Sequence, residues 1–416
     1  MHPSHLLLQI LIILAVARAC GWVLRHFGQP AVIGEMAAGF VLGPIVFGAL
    51  FPEFHASLFA KDSLPGLTAL SNLGLVLFMF VVGAELRAPD GVRAQLKSAG
   101  AVGALGVLVP MALGLAISPW LHPTQAPAGV GFWPFALFMA SAMSITAFPV
   151  MARILKDRGM TQTALGRLAL SSAAIADAFA WAMLALVLAL AGNGYADFAK
   201  IALGALILCA VVFGLLKPLF AALMRKHAPD GRPGLMLLAA ILIGAIACAA
   251  ATEWLGLHAV FGAFLFGACL PRDDRLLRYL SERVEFIAIV LLMPIVFALA
   301  GLNTSADAFA GPALWALLLI LVVAVLGKVA GAAAGARLAG YGWRDSLAAG
   351  SLMNARGLME LIVMKVGLDA GLIGHELFTM LLVMAIVTTV MTAPMLDLFA
   401  GRATAPAAGH APRDNA

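Results

Sequence analysis

Charge is what this sequence has least of: Asp, Glu, Lys and Arg make up 11% of 416 residues, against 63% hydrophobic side chains. A soluble chain carries about 25% charged residues, so the charge here is too scarce to cover a surface facing water. The mean hydropathy of +1.01 says the same. This composition excludes a nucleic-acid binder and a cytosolic enzyme, and it assigns the pI near 9.2 to loop charge facing anionic lipid. Cysteine is also scarce. Cys20, Cys209, Cys248 and Cys269 all fall inside apolar runs, with no CxxC spacing and no Cys/His cluster, so neither a disulfide framework nor a zinc site is supported. The first apolar run follows no Lys or Arg and is too long for the apolar core of a signal peptide; an uncleaved first span is expected.

What the chain has in abundance is apolar runs long enough to cross a bilayer, which needs about 20 residues. About thirteen recur: 5 to 25, 30 to 50, 66 to 86, 98 to 120, 131 to 154, 164 to 192, 198 to 224, 234 to 253, 256 to 271, 284 to 302, 312 to 338, 345 to 368 and 373 to 400. Loop charge tests the alternation, because cytoplasmic loops hold the Lys and Arg. With the N-terminus outside, the inner segments carry Arg25; Arg87, Arg93 and Lys97; Arg153, Lys156, Arg158 and Arg167; Arg225, Lys226 and Arg232; Arg272, Arg275, Arg278 and Arg283; Arg337 and Arg344; and Arg402 and Arg413. The outer loops keep Lys61 and Lys200. An odd number of spans with the C-terminus inside is expected.

One membrane domain over 1 to 400 is expected, with no room for a soluble regulatory domain and a disordered Ala/Pro/Gly-rich tail over 401 to 416. An odd count of thirteen allows two six-span halves of opposite orientation around a central helix near 198 to 224, a recurrent plan of secondary transporters.

A charge near the bilayer centre costs at least about 2.5–3.5 kcal/mol on insertion scales, so each invites a functional reading. Asp177, midway along the sixth run among small alanines, has no basic residue in its run after Arg167. It reads as an acid alternating between a proton and a cation, or as a structural partner of a basic residue on another helix. In the fifth run, SAMSITAFPVMARIL, Pro149 deprives the carbonyl of Ile145 of its helical partner. Ser144 and Thr146 add hydroxyl oxygens beside it, and such oxygens suit a hard monovalent cation; an ordinary proline kink is the plainer reading. Lys328 lies among Gly327, Gly331 and Gly335, whose four-residue spacing makes a groove for close helix packing. It can meet a carboxylate there or snorkel to the surface. Arg356 and Glu360 stand four apart on one face and read as a mainly structural pair, partly restorable by a charge swap, while Asn354 and Gly357 interrupt that helix. Glu35, after GQPAVIG, is a further buried acid; Glu85, Glu253 and His258 are as readily interfacial.

Seven segments then carry a resemblance: GQPAVIGEMAAGFVLGP, LGLVLFMFVVGAELR, SITAFPVMARIL, TALGRLALSSAAIADAFAW, GLHAVFGAFLFGACLP, LLMPIVFALAGLNT and LMNARGLMELIV. In this order over roughly 28 to 390, the chain resembles the second branch of the monovalent cation:proton antiporter superfamily, the sodium or potassium/proton exchangers. The resemblance implies an all-α polytopic fold with two broken, crossing helices and a homodimer in which a core part (about 98–192 and 312–400) slides like an elevator. The rest would be a dimerisation part (about 5–86 and 234–302) and a linker helix (about 198–224). It implies a multi-pass protein of the bacterial inner (plasma) membrane. Carried over by position, Asp177 matches the ion-binding acid, Thr146 the residue at the broken crossing, Lys328 the core lysine and Arg356 the arginine of the twelfth helix. The family's paired motif is usually Asp-Asp or Asn-Asp; here it is Ala176-Asp177.

The expected activity is secondary antiport of Na+ or K+ against H+, with Asp177, Thr146 and Ser144 holding the ions, Lys328, Arg356, Glu360 and Glu35 as supporting charges, and no cofactor. With one obvious titrating carboxylate, electroneutral exchange is the simplest cycle. An exchanger of another small solute and a non-transporting membrane sensor are the alternatives. An intramembrane enzyme is disfavoured: there is no HExxH, no GxSxG and no second acid beside Asp177.

Overall fold

The computed structural model describes residues 3–85, 92–161, 163–191, 195–271 and 273–400, and every described element is a helix. Arg87, Arg272 and the tail with Arg402 and Arg413 lie outside the described residues, as do the side chains of Arg93, Pro149, Lys156, Ala178, Ala180 and Lys200. Helix occupies all thirteen apolar stretches. Nine of the described helices are long and apolar enough to cross a membrane alone, and Phe132–Ser144 and Ala259–Cys269 are shorter apolar helices. The chain is a multi-span membrane protein. With no water in the hydrocarbon to satisfy backbone groups, helices are the expected response of such runs.

Several boundaries differ from the apolar runs, for physical reasons. The run at 284 extends back as helical turns to Asp274, through Arg275, Arg278 and Arg283, because charge ends the apolar stretch without ending the backbone ladder. The helix Val92–Gln125 outlasts its run at both ends and holds Pro110, Pro119 and Pro123. The second run is helical over Ala31–Leu42 and then breaks at Gly43 and Pro44 into short helices at Phe47–Leu50 and Pro52–Leu58.

Close packing rests on glycine. The helices Val92–Gln125 and Gly311–Leu338 lie so near that a Cβ on Gly331 would stand 2.4 Å from the carbonyl oxygen of Leu105, and one on Gly335 2.5 Å from that of Ala101. The glycine groove around Lys328 therefore has an occupant. Ala31–Leu42 and Met293–Leu302 meet in the same manner, with a Cβ on Gly301 only 1.7 Å from the oxygen of Gly39.

Two more of the thirteen stretches are broken near their middles. The first stops at Ser144 and restarts at Phe148, which puts Pro149 in the first turn of the second half, where its missing N–H has no helical partner to lose. The other stops at Met353 and restarts at Leu358. The two breaks meet: the N–H of Ala147 donates to the carbonyl of Ala355 at 3.0 Å.

Candidate ion-binding site

Where the broken helices meet, four half-helix ends face one another, each with backbone groups that lack an intrahelical partner. The end at Ser144 presents carbonyls and a partial negative charge; the beginning at Phe148 presents N–H groups and a partial positive charge. Fully buried cations serve the first. Arg356 donates to the carbonyls of Ala142 and Met143, both at 2.8 Å, and Lys328 donates to that of Ser144 at 2.5 Å. The second lies near the buried carboxylate of Asp177, whose Oδ1 has no hydrogen-bond partner among the described residues.

Lys328 uses all three of its donors: Ser144, the Thr146 hydroxyl at 2.6 Å and the carbonyl of Gly106 at 2.9 Å. It does not snorkel, and among the described residues it has no direct ion pair with a carboxylate. Its partners are helix-end oxygens. The free carbonyl of Gly106 has a local cause, because Pro110 four residues later offers it no N–H. The same pattern recurs twice. Arg18 donates to Val290, four before Pro294, at 2.9 Å, and Gln29 donates to Val390, four before Pro394, at 3.4 Å. Gly106 was not singled out from the sequence, although Pro110 was the signal for it.

Arg356 also reaches Glu360 at 2.9 Å, with both side chains fully buried. Glu360 sits in the first turn of Leu358–Asp369, where negative charge favours the helix start. The pair is thus one part of a larger arrangement. Thr389 holds the second break from the last helix: its hydroxyl accepts from the N–H of Arg356 at 2.9 Å and lies 2.8 Å from that residue's carbonyl. Asn354 donates to the carbonyl of Thr388 at 3.1 Å. These threonines were missed in the sequence; buried hydroxyls in the otherwise apolar AIVTTVMT were the available signal.

The crossing therefore gathers Asp177, Thr146, Ser144, Lys328, Arg356 and Glu360. Ser144 contributes its backbone oxygen, since its hydroxyl turns back to the carbonyl of Ser141 at 2.8 Å. Glu35 stands apart, 3.8 Å from Arg18 and beside a separate cavity. Among the described residues the buried ionisable groups of the crossing are two carboxylates and two bases, so their formal charges cancel when all are ionised.

The family model described as "Sodium/hydrogen exchanger, transmembrane" matches residues 11–398. The chain belongs to that family. It is 38% identical over 395 residues to the Na(+)/H(+) antiporter NhaS4 of Synechocystis sp., covering 94% of this chain and 96% of that protein. It is 33% identical to K(+)/H(+) antiporter 1 of Saccharomyces cerevisiae, over 94% of this chain and 46% of that protein, so it spans about half of the longer eukaryotic relative. The Na(+)/H(+)-K(+) antiporter GerN of Bacillus cereus is 28% identical, over 93% of this chain and 94% of that one. In fold, this sodium/hydrogen exchanger family member is similar to the sodium proton antiporter MjNhaP1 of Methanocaldococcus jannaschii, with a TM-score of 0.64 over 95% of this chain and 97% of that one at 14% identity.

Proposed function

We propose that this chain exchanges a monovalent cation, Na+ or K+, for protons by secondary antiport, with Asp177 carrying each in turn. The observation that carries the reading is the buried Asp177 beside the start of the second half-helix, its Oδ1 without a hydrogen-bond partner among the described residues. A buried carboxylate oxygen that no donor reaches is costly to leave bare. A proton or a small cation relieves that cost, and the two compete for the same atom. Thr146 stands next in line as an oxygen ligand, and its hydroxyl is occupied by the Lys328 ammonium. The relatives named above as Na+/H+ and K+/H+ antiporters support the same class of substrate.

The charge count supports electroneutral exchange of one proton for one cation. Protonated Asp177 and cation-bound Asp177 leave the crossing with the same net charge, so the loaded carrier is electrically identical on either leg. Elevator movement of a core part against a homodimeric scaffold in the bacterial inner membrane, with the N-terminus outside, belongs to the same proposal and rests on family resemblance and loop charge. Ala176, in place of the family's first acid, favours a second reading, a membrane sensor that has kept the fold.

One assay separates these. Inverted vesicles holding a pH gradient are given Na+, K+ or Li+, and the gradient is expected to dissipate with at least one of them, at a rate independent of an imposed membrane potential. No dissipation with any of the three supports the sensor; dissipation that follows the potential rejects electroneutrality.

A further inference from the structure

A cavity of about 500 Å³ lies beside the second half of the first broken helix, far larger than one water needs. Its walls include Val32 and Glu35, Glu85, Arg153, and Ser281 and Glu285. Three of these are acids and one is basic. An acidic wall by itself is no site, and two of the acids are engaged: Ser281 donates to Glu285, and Glu85 has an interaction of its own. Glu35 differs. It is 3% exposed, it lines the cavity, and its Oε1 accepts no hydrogen bond. Arg18 stands 3.8 Å away, half-exposed, with one guanidinium nitrogen committed to the carbonyl of Val290 at 2.9 Å. Arg153 is the other base on this cavity, in its wall.

The cavity also leads toward the crossing. Val150 is part of its wall and lies two residues beyond Phe148, at the helix start near Asp177. On its other side Val150 closes against the second break, where a Cβ on Gly357 would stand 2.6 Å from its Cγ2. Another part of the wall comes from two π turns, Ser281–Glu285 and Ala288–Leu292, a widened helical geometry frequent at functional sites.

We propose that Glu35 is a loading site for the transported monovalent cation, taking a hydrated ion in this cavity before the ion passes Val150 to Asp177. The inference rests on the antiport reading above. A carboxylate in a confined, low-dielectric mouth raises the local cation concentration without taking part in the exchange step itself. Its loss therefore weakens apparent affinity and leaves the turnover of the saturated carrier in place. Arg18 is a competing positive charge at that site.

The test uses the full chain in vesicles of both orientations, with whichever of Na+, K+ and Li+ drives exchange in the unaltered protein. Glu35→Gln is expected to raise the apparent KM about tenfold in the orientation that presents the cavity to the added cation, with the maximal rate kept within about twofold. The increase is expected to shrink as choline chloride screens the acid. Arg18→Gln is expected to lower the KM in the same orientation, and it carries the test if Glu35→Gln does not fold. An unchanged KM in both variants overturns the loading site. So does recovery of a destabilised Glu35→Gln by the added Arg18→Gln with no movement in KM, which would make the two a structural pair. Absence of exchange in the unaltered protein would instead defeat the antiport reading.

Discussion

The carbonyl oxygen of Gly106 accepts a hydrogen bond at 2.9 Å from Lys328 because Pro110 cannot. A helix interior normally has no acceptor to spare, and a proline four residues later creates one. One residue thus prepares an anchor for a lysine that lies more than two hundred positions away in the chain. Pro110→Ala supplies the missing N–H and closes the carbonyl into its own helix. Hydrogen bonds to charged groups contribute about 1.5–3 kcal/mol, so exchange is expected to slow about tenfold or more, while the melting temperature in detergent holds or rises. Exchange at the normal rate in Pro110→Ala would show that this anchor is dispensable.

Asp177→Asn keeps the size of the side chain and one acceptor oxygen but cannot exchange a proton for a cation. It is expected to abolish exchange while the protein elutes as the native species in size-exclusion chromatography. Persistent exchange in a folded Asp177→Asn protein would move the carrier elsewhere, with Glu35 the first place to look.

For Arg356 and Glu360, the sequence alone suggests that a swap restores part of the pair, and the contacts in the structure lead to the opposite prediction. Arg356 donates to the carbonyls of Ala142 and Met143 as well as to Glu360. A glutamate at 356 brings an anion to a helix end that is already negative. Removing one partner of a buried pair commonly costs about 3–5 kcal/mol. Arg356→Gln and Glu360→Gln are expected to lower the melting temperature sharply, and the swap at least as far. Arg356→Lys should fall between, since a point charge cannot span two carbonyls and a carboxylate as the planar guanidinium does. Thermal unfolding of the four variants in one detergent ranks them.

Thr389 joins the last helix to the second break through its hydroxyl. Thr389→Val keeps the shape but leaves the N–H of Arg356 unsatisfied, at a cost of about 1–3 kcal/mol. Thr389→Ser is expected to stay near the unaltered protein in both melting temperature and exchange rate. If valine is tolerated as well as serine, the break is held by packing alone.

How much of this was legible in the sequence follows from how far each feature reaches along the chain. Span length, scarcity of charge and the isolation of Asp177 among alanines are properties of continuous stretches. Burial in a bilayer turns each into structure with little help from its neighbours, since an apolar run in hydrocarbon must close its own hydrogen bonds. The break at Pro149 and the glycine groove around Lys328 were local in the same sense.

Which groups meet was decided by tertiary packing. The glycines state that another helix comes close, but not that its Gly106 carbonyl is free to take an ammonium. The spacing of Arg356 and Glu360 predicts their contact and is silent on the carbonyls of Ala142 and Met143. Glu35 reads as a buried acid like the others, and only the folded chain sets it on a cavity wall, 3.8 Å from Arg18 and away from the crossing. The physical reason is that a side chain's partners are fixed by interhelical distances of a few ångströms, which depend on every helix packed around it and are carried by no single stretch of the chain.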